Sequence, residues 1–167
     1  MDRLWTPWRR AFVESSGDAE TAPPCFLCAI SRADPDRDRE HLLVHRGERA
    51  IVLLNRYPYN NGHLLIAPLE HTGDYAALDA ATANALTALT QRAVAVLQRA
   101  YGPEAFNVGM NLGRAAGAGL PDHLHIHVVP RWTGDTNFMP VVANTKVLPE
   151  TLDQTYERLR PLFAEDR

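Results

Sequence analysis

Three histidines stand at every second position around residue 125, and imidazole is well suited to nucleophilic or acid–base chemistry near neutral pH. The run from His123 to Val129 reads His-Leu-His-Ile-His-Val-Val. Alternation of polar and apolar residues over this length predicts a half-buried β-strand. Successive side chains point to opposite faces of a strand. We therefore expect His123, His125 and His127 on one face and the apolar side chains between them in the core.

Two chemical uses of this row compete. Side chains at i and i+2 on a strand lie roughly 6.6 Å apart and can share a metal ion, whereas those at i and i+4 lie about 13 Å apart and cannot. At least one imidazole is therefore available for a role other than metal binding. A neutral imidazole can attack a substrate through one ring nitrogen and form a covalent intermediate. A purely structural role for all three histidines is disfavoured, because Thr or Arg would fill solvent-facing strand positions equally well.

A second candidate site is the pair Cys25 and Cys28, since two thiolates at this spacing fit one tetrahedral zinc ion. A redox pair would need a βαβ context, which the pattern does not show, and two buried cysteines are the remaining interpretation. The chain has only these two cysteines, so histidines must complete a closed zinc site. The candidates are His41, His45, His63, His71 and His123. The residues alone do not favour His71 and His123 over His45.

A glycine-rich loop lies directly before the histidine row. Residues 111–119 read Asn-Leu-Gly-Arg-Ala-Ala-Gly-Ala-Gly. Glycines permit unusual backbone angles and let N–H groups approach a phosphate closely. The loop lacks the Gly-Lys-Ser/Thr ending of a P-loop. Its position still makes it a candidate phosphate cradle, with Asn111 and Arg114 as further donors, although such loops often serve only as connections.

The elements that must position these residues follow from periodicity and turn signals. An apolar stripe predicts a long helix over 79–100, ended by Gly102 and Pro103. A C-terminal helix is expected to open near Pro149 and to end or kink at Pro161. Residues 14–40 are expected to be loop with little regular structure. Strands are predicted over 42–44, 49–54, 63–67, 106–112 and 123–130. This order favours an α+β fold with an antiparallel sheet.

Length and composition bound the function. The chain of 167 residues is expected to form one domain over 1–167, with an N-terminal arm (1–24), a core (25–131) and a C-terminal segment with a helix (132–167). In the arm, Trp5 and Trp8 are expected to pack against the body. The net charge of −3 provides no basic field to recruit nucleic acid. Neither a signal peptide nor a membrane span is expected, so the predicted location is cytoplasmic.

The histidine run matches the pattern His-φ-His-φ-His-φ-φ, where φ is apolar, and on this motif the chain resembles the histidine-triad (HIT) family. The segments at 4–9, 25–28, 55–63 and 129–138 extend the resemblance over most of the chain; they read Leu-Trp-Thr-Pro-Trp-Arg, Cys-Phe-Leu-Cys, Asn-Arg-Tyr-Pro-Tyr-Asn-Asn-Gly-His and Val-Pro-Arg-Trp-Thr-Gly-Asp-Thr-Asn-Phe. They look like the bacterial branch that includes diadenosine tetraphosphate phosphorylases. The resemblance implies an HIT-like fold with a five-stranded antiparallel sheet, one long helix and a C-terminal helix, assembled as a homodimer.

The resemblance also implies catalytic and substrate-binding roles. His125 matches the nucleophile that becomes nucleotidylated, and His127 matches the residue that contacts the phosphate and assists the leaving group. Asn55 and His63 match positions near the triad and the ribose. The residues that match the phosphate-binding segment are Asn111, Gly117, Ala118 and Gly119, with Arg114 as an added donor.

The resemblance further implies a metal site. Zinc-containing relatives use a Cys-x-x-Cys pair, a later histidine and the first histidine of the triad. In this chain the matching residues are Cys25, Cys28, His71 and His123. The expected cofactor is therefore a structural zinc ion, with no organic cofactor.

The implied activity is cleavage of a dinucleoside polyphosphate at an α-phosphate, with water or inorganic phosphate as the acceptor. Many hydrolase branches carry Gln four residues before the triad, where this chain has Gly119. Diadenosine tetraphosphate phosphorylases also lack that Gln, which favours phosphate as the acceptor. His127 argues against the uridylyltransferase branch, which has Gln there. Two alternatives are a nucleoside phosphoramidate or adenylate-ester hydrolase and a zinc-stabilised nucleotide-binding module without turnover.

Overall fold

The computed structural model describes residues 25–143, 145 and 147–165. Within them, strands form one five-stranded antiparallel sheet and helices cover it, which confirms the α+β class predicted from the sequence. The predicted arm over 1–24, including Trp5 and Trp8, lies outside the described residues, so its packing stays a prediction.

The sheet places the histidine row next to its edge. The strands are β1 (Leu43–Arg46), β2 (Ala50–Leu54), β3 (Leu64–Pro68), β4 (Ala105–Gly109) and β5 (Ile126–Arg131). Their order in space is β1-β2-β3-β5-β4, so β5 lies between β3 and the edge strand β4. His127 on β5 pairs with Leu65 on β3 and with Gly109 on β4.

Each face of the sheet packs against a different helix layer, because side chains alternate along every strand. One face holds Val52, Ile66 and Val128 and packs under two long helices, α2 (Ala80–Tyr101) and α4 (Leu152–Glu165). The other face holds Leu53 and Leu65 and packs under a short N-terminal helix, α1 (Phe26–Arg32). His127 pairs with Leu65, so its side chain belongs to the α1 face.

The long helix has the limits that its sequence signals predict. Asp79 caps its N-terminus by accepting the N–H of Thr82 at 3.0 Å. Gly102 ends it with a φ of 56°, in the left-handed region that glycine adopts without strain. Across the described residues, no helix combines the length and apolarity that a bilayer crossing requires.

The prediction of a loop over residues 14–40 is wrong for 26–37, and its part over 14–24 lies outside the described residues. Phe26–Arg32 form α1, and Pro35–Arg37 form a short 3-10 turn with Asp34 as its cap. Leu27 and Ile30 lie one helical turn apart and are buried under the sheet. Seven helical residues among turn formers give too short a pattern to recognise; the helix is stabilised by this tertiary contact.

Element limits differ from the predictions at three further points. The β5 ladder begins at Ile126 instead of 123, because the N–H of Leu124 donates to the carbonyl of Thr72 in a loop and not to a neighbouring strand. β4 ends at Gly109 instead of 112. The C-terminal helix, α4, begins at Leu152, three residues after Pro149. A capping box precedes it, in which the Thr151 hydroxyl accepts the N–H of Gln154 at 3.2 Å.

Pro161 does not end α4, which continues to Glu165; the alternative prediction, a kink at this residue, stays a prediction. Proline removes one backbone donor from a helix interior. Here Pro161 lies on the exposed side of the helix, while Leu159 and Phe163 on either side of it are 0% and 1% exposed. Their burial in the core outweighs the loss of one hydrogen bond. A further short helix, α3 (Met139–Ala143), lies between β5 and α4.

Candidate active site and metal centre

Four sulfur and nitrogen donors converge where the chain approaches β5. Cys25 Sγ lies 3.2 Å from His123 Nδ1, and Cys28 Sγ lies 3.3 Å from His71 Nδ1. The two Nδ1 atoms are 3.3 Å apart, and all four donor atoms lie within 4.8 Å of one another. Ligands on a tetrahedral zinc ion, bonded at about 2.0–2.3 Å, are separated by roughly 3.3–3.8 Å. Two thiolates and two imidazoles at this spacing fit zinc.

His123 is oriented by a contact on its far side. Its Nε2–H donates to the carbonyl of Pro68 at 2.9 Å, which leaves the Nδ1 lone pair towards the two cysteines. Metal-bound histidines usually make this kind of outer hydrogen bond. Burial lowers the pKa of His123 and favours the neutral ring that binds metals. Among the other histidines considered, His45 stacks on Phe163 and His63 contacts His127 instead of the cysteines.

The loop that carries His71 is held against the histidine row by backbone contacts. The N–H of Leu124 donates to the carbonyl of Thr72 at 2.8 Å. A Cβ at Gly73 would lie 2.4 Å from the carbonyl oxygen of Pro121. Only glycine permits this close approach. The packing of this loop therefore holds His71 close to His123.

His125, in the middle of the row, has its tautomer set by the backbone. Its Nδ1 lies 3.0 Å from the carbonyl oxygen of His123, so Nδ1 carries the proton and donates it. The Nε2 atom is then the unprotonated nitrogen with an in-plane lone pair. The side chain is half-buried, lies outside the four-donor group and neighbours His127 at 5.0 Å between ring centroids. This arrangement suits a nucleophile.

A chain of hydrogen bonds fixes the proton positions on His63 and His127. The N–H of Tyr59 donates to His63 Nδ1 at 3.0 Å, and the Asn55 amide lies 3.3 Å from the same nitrogen. His63 Nδ1 is therefore an acceptor, and His63 Nε2–H donates to His127 Nδ1 at 2.9 Å. With Nδ1 accepting, a neutral His127 carries its proton on Nε2. His127 can then donate to an oxygen on a bound substrate.

His63 is held neutral. It is 0% exposed, and this burial, with smaller contributions from His127 and His125, lowers its pKa to about 3. His63 and Asn55 were predicted to lie near the triad and the ribose. The structure places His63 against His127 of the triad and Asn55 against His63, and their contact with a ribose stays a prediction. In this arrangement Asn55 contacts His63, and the Nε2–H of His63 orients the ring of His127.

The glycine-rich loop closes on itself. Residues Arg114–Ala116 form a single 3-10 turn between Gly113 and Gly117, whose φ values are 78° and 85°. Asn111 Nδ2 donates to the carbonyl of Gly117 at 3.3 Å, and the N–H of Ala118 donates to the carbonyl of Gly113 at 3.4 Å. These two donors therefore stabilise the loop. Arg114 is exposed and Gly119 is half-buried.

A polar cleft of about 500 Å³ continues the row beyond His127. Its walls come from β4, β5 and the turns that precede β3 and follow β5. His127 lines it, whereas His125 does not. The lining residues are Tyr59, Asn60, Asn107, Val108, Gly109, Asn111, His127, Val129, Arg131, Asp135 and Thr136.

Comparison with known proteins agrees with this geometry. The family model described as the HIT domain matches residues 37–134. The chain belongs to the HIT family. It is 38% identical over 169 residues to a Mycobacterium tuberculosis protein named AP-4-A phosphorylase, an alignment that covers 98% of this chain and 85% of that protein. An uncharacterized HIT-like protein of Methanocaldococcus jannaschii is 31% identical over 81% of this chain and 98% of its own.

Solved structures of the HIT family share the fold. A crystal structure of a Zn-bound histidine triad family protein from Mycobacterium smegmatis matches with a TM-score of 0.67 and 25% identity, covering 85% of this chain and 94% of that one. A hypothetical histidine triad nucleotide-binding protein from Sulfolobus tokodaii matches with a TM-score of 0.64 and 28% identity, covering 84% and 90%.

Arg46, which was not among the residues predicted for the site of this HIT protein, holds α1 to the sheet. Arg46 Nη1 donates to the carbonyl of Ser31 at 2.8 Å, and Nη2 donates to the carbonyl of Ala33 at 3.0 Å. Its Nε and Nη2 also reach Asp38 Oδ1 at 2.9 and 2.7 Å. The guanidinium therefore satisfies the C-terminal carbonyls of the helix that carries the cysteine pair. An arginine on a short strand gives no sequence signal for this role.

A second hydrogen-bond network, which was not predicted from the sequence, stabilises the turn before His63. Asp135 is paired with Arg131 at 2.6 Å, and it accepts the Asn60 amide at 2.8 Å. Asn60 Nδ2 also lies 3.1 Å from the carbonyl of Pro130, and its own carbonyl accepts the N–H of His63. The network ties the segment after β5 to the turn whose Tyr59 N–H fixes the His63 tautomer.

Proposed function

We propose that this HIT-family enzyme cleaves a dinucleoside polyphosphate, such as diadenosine tetraphosphate, at an α-phosphate through a covalent nucleotidyl-His125, with inorganic phosphate as the acceptor. The observation that carries the proposal is the orientation of His125. Its Nδ1 proton is committed to the carbonyl of His123, and the ring lies outside the donor cluster, so Nε2 can attack. The 38% identity to the AP-4-A phosphorylase supports the substrate class.

In the first step, His125 Nε2 forms a bond to the α-phosphorus, and the bond from that phosphorus to the bridging oxygen breaks. The ring gains positive charge, which the hydrogen bond from Nδ1–H to the His123 carbonyl stabilises. The departing oxygen gains negative charge and accepts a hydrogen bond from Nε2–H of His127. Donors already aligned with developing charge lower the barrier without reorganisation.

In the second step, an oxygen of inorganic phosphate attacks the nucleotidyl phosphorus, and the bond to His125 Nε2 breaks. With diadenosine tetraphosphate the products are ATP from the first step and ADP from the second. Water in place of phosphate would give AMP. Gly119 stands where many hydrolase relatives carry Gln, and the missing amide leaves room for the larger acceptor.

Product analysis in phosphate-free and phosphate-containing buffer tests the acceptor. We expect repeated turnover to ATP and ADP only when phosphate is present, with radiolabel from phosphate recovered in ADP; without phosphate, ATP release should stop at about one equivalent as the nucleotidylated protein accumulates. ATP and AMP at a rate independent of phosphate would refute phosphorolysis. His125→Ala should abolish the acid-labile nucleotidylated protein, while His41→Ala, a variant of a histidine outside the triad, should retain it. Turnover by the His125→Ala variant at the wild-type rate would refute the covalent step.

The donor cluster is proposed to hold a structural zinc ion. Cys25, Cys28, His71 and His123 supply four protein ligands, so the site is closed in the manner of structural zinc sites. When bound, the ion would link α1, the His71 loop and the approach to β5. The Zn-bound relative from M. smegmatis supports this assignment.

The edge strand β4 supports a homodimer in which two sheets join across a two-fold axis. β4 lies at one end of the strand order and leaves one row of backbone groups without a neighbour within the described chain. Val108 on this strand is 49% exposed. Exposed edges of this kind pair readily with another strand. Sedimentation velocity should give twice the 18.6 kDa chain mass, and a monomer at all concentrations would contradict it.

A further inference from the structure

Gly109 leaves open space directly beside His127. The two residues are paired across β4 and β5, so their side-chain positions lie on the same face. A Cβ built on Gly109 meets no heavy atom of the described residues within 4 Å. Gly109 also lines the polar cleft that continues the histidine row.

The protein fold itself does not require glycine at this position. Gly109 has no positive φ, unlike Gly113 and Gly117 nearby. The register between β4 and β5 is continuous from Ala105 to Gly109, so there is no bulge to accommodate. Gly109 is the last residue of β4 but still pairs with His127, and a glycine in such a paired position often marks a place where a ligand approaches closely. A β-branched residue such as valine would suit the strand better.

The cleft lies on the side of His127 away from His125. Along the row, the metal donors come first, then His125, then His127, and then the cleft, which His127 lines and His125 does not. In an in-line displacement the leaving oxygen departs from the face of phosphorus opposite the nucleophile. If His127 donates to that leaving oxygen, as proposed above, the departing fragment lies on the His127 side of the phosphorus, which is the side of the cleft.

Polar groups in the cleft match the chemistry of that fragment. Arg131 Nη1 donates to Asn107 Oδ1 at 2.7 Å, which turns the amide NH₂ of Asn107 away from the arginine. Arg131 is also bonded to Asp135 through Nε and Nη2, and this fork holds its remaining N–H groups in place. Thr136 adds an exposed hydroxyl at the same wall. Asp135 lines the same cleft and neutralises much of the Arg131 charge, so the wall offers oriented N–H and O–H donors to phosphate oxygens and no net positive field.

We propose that the cleft floored by Gly109 is the subsite for the leaving nucleoside polyphosphate, and that the missing side chain at 109 determines whether a long leaving group is accepted. The inference rests on the proposed function, because it places one product of that reaction. It distinguishes the departing fragment from the nucleotide retained on His125.

Gly109→Leu tests the subsite, with Gly109→Ala as the matched control. Both variants remove glycine from the strand, but only leucine fills the cleft. We expect kcat/KM for diadenosine tetraphosphate to fall about tenfold or more in Gly109→Leu and much less in Gly109→Ala. AMP contains only the retained part, so its inhibition constant should change by less than about twofold in either variant.

Three outcomes would overturn the assignment. An equal loss of kcat/KM for diadenosine tetraphosphate and of affinity for AMP would place the retained nucleotide, or His127 itself, next to Gly109. Wild-type kinetics in Gly109→Leu would show that the cleft is not used. A changed oligomeric mass in Gly109→Leu would assign the open space to a second subunit. If the wild type leaves diadenosine tetraphosphate intact, the proposed function fails, and dissociation constants of both nucleotides for the same variants decide the subsite independently.

Discussion

Acidification is expected to destabilise this protein through His63. The folded state holds the pKa of His63 at about 3, mainly through burial, whereas an unfolded histidine titrates near 6.5. Between these values the unfolded chain binds a proton that the folded chain does not. Stability from this residue is therefore complete above pH 6.5 and is lost progressively as the pH falls towards 3.

The size of the effect follows from linkage. Each pH unit in this window removes about 1.4 kcal/mol, so the contribution between pH 7 and pH 5 is about 2 kcal/mol. His63→Gln isolates it, because a glutamine amide can accept from Tyr59 and donate to His127 without titrating. The other histidines and the metal donors are the same in both proteins, and their effects cancel in the difference.

Urea unfolding of wild type and His63→Gln at pH 7, 6 and 5 measures this difference. The free energy of unfolding should fall about 2 kcal/mol further in wild type than in the variant over this range. Parallel losses in the two proteins would refute the assignment. NMR titration gives an independent check, since an imidazole resonance of His63 with a midpoint near 6 would show that burial does not keep it neutral.

Two further predictions concern the metal centre and the attachment of α1, the helix that carries Cys28. Cys25→Ser should lower bound zinc from about one ion per chain to a small fraction, as measured by elemental analysis. It should also lower the unfolding midpoint, because metal binding contributes to folding. Full retention of zinc would contradict the ligand set. Arg46→Met should lower the free energy of unfolding by about 2–3 kcal/mol, less than for a fully buried pair because the Arg46 side chain is 25% exposed. Adding Asp38→Leu should restore part of this loss by removing the unpaired carboxylate, and strictly additive losses would argue against the pairing.

Local signals predicted the elements that depend on neighbours in sequence. The 3.6-residue apolar stripe and the stop at Gly102 and Pro103 set the long helix almost to the residue. The twofold alternation at 123–129 buried Leu124, Ile126 and Val128 in the core. Where the predictions failed, a tertiary contact outweighed a local rule, as with the buried side chains that support α1 and those that carry α4 through Pro161.

The sequence by itself determined the chemical groups, namely a histidine row, a cysteine pair and a glycine-rich loop, because residue type and spacing are local properties. The tertiary structure alone decided which groups meet. Cys25 contacts a histidine 98 positions away, and Cys28 contacts one 43 positions away. It also decided the proton positions on His63, His125 and His127, because each tautomer depends on a backbone or side-chain partner placed by folding. Such contacts depend on how distant segments pack against one another, and the periodicity of a sequence contains no information about that packing.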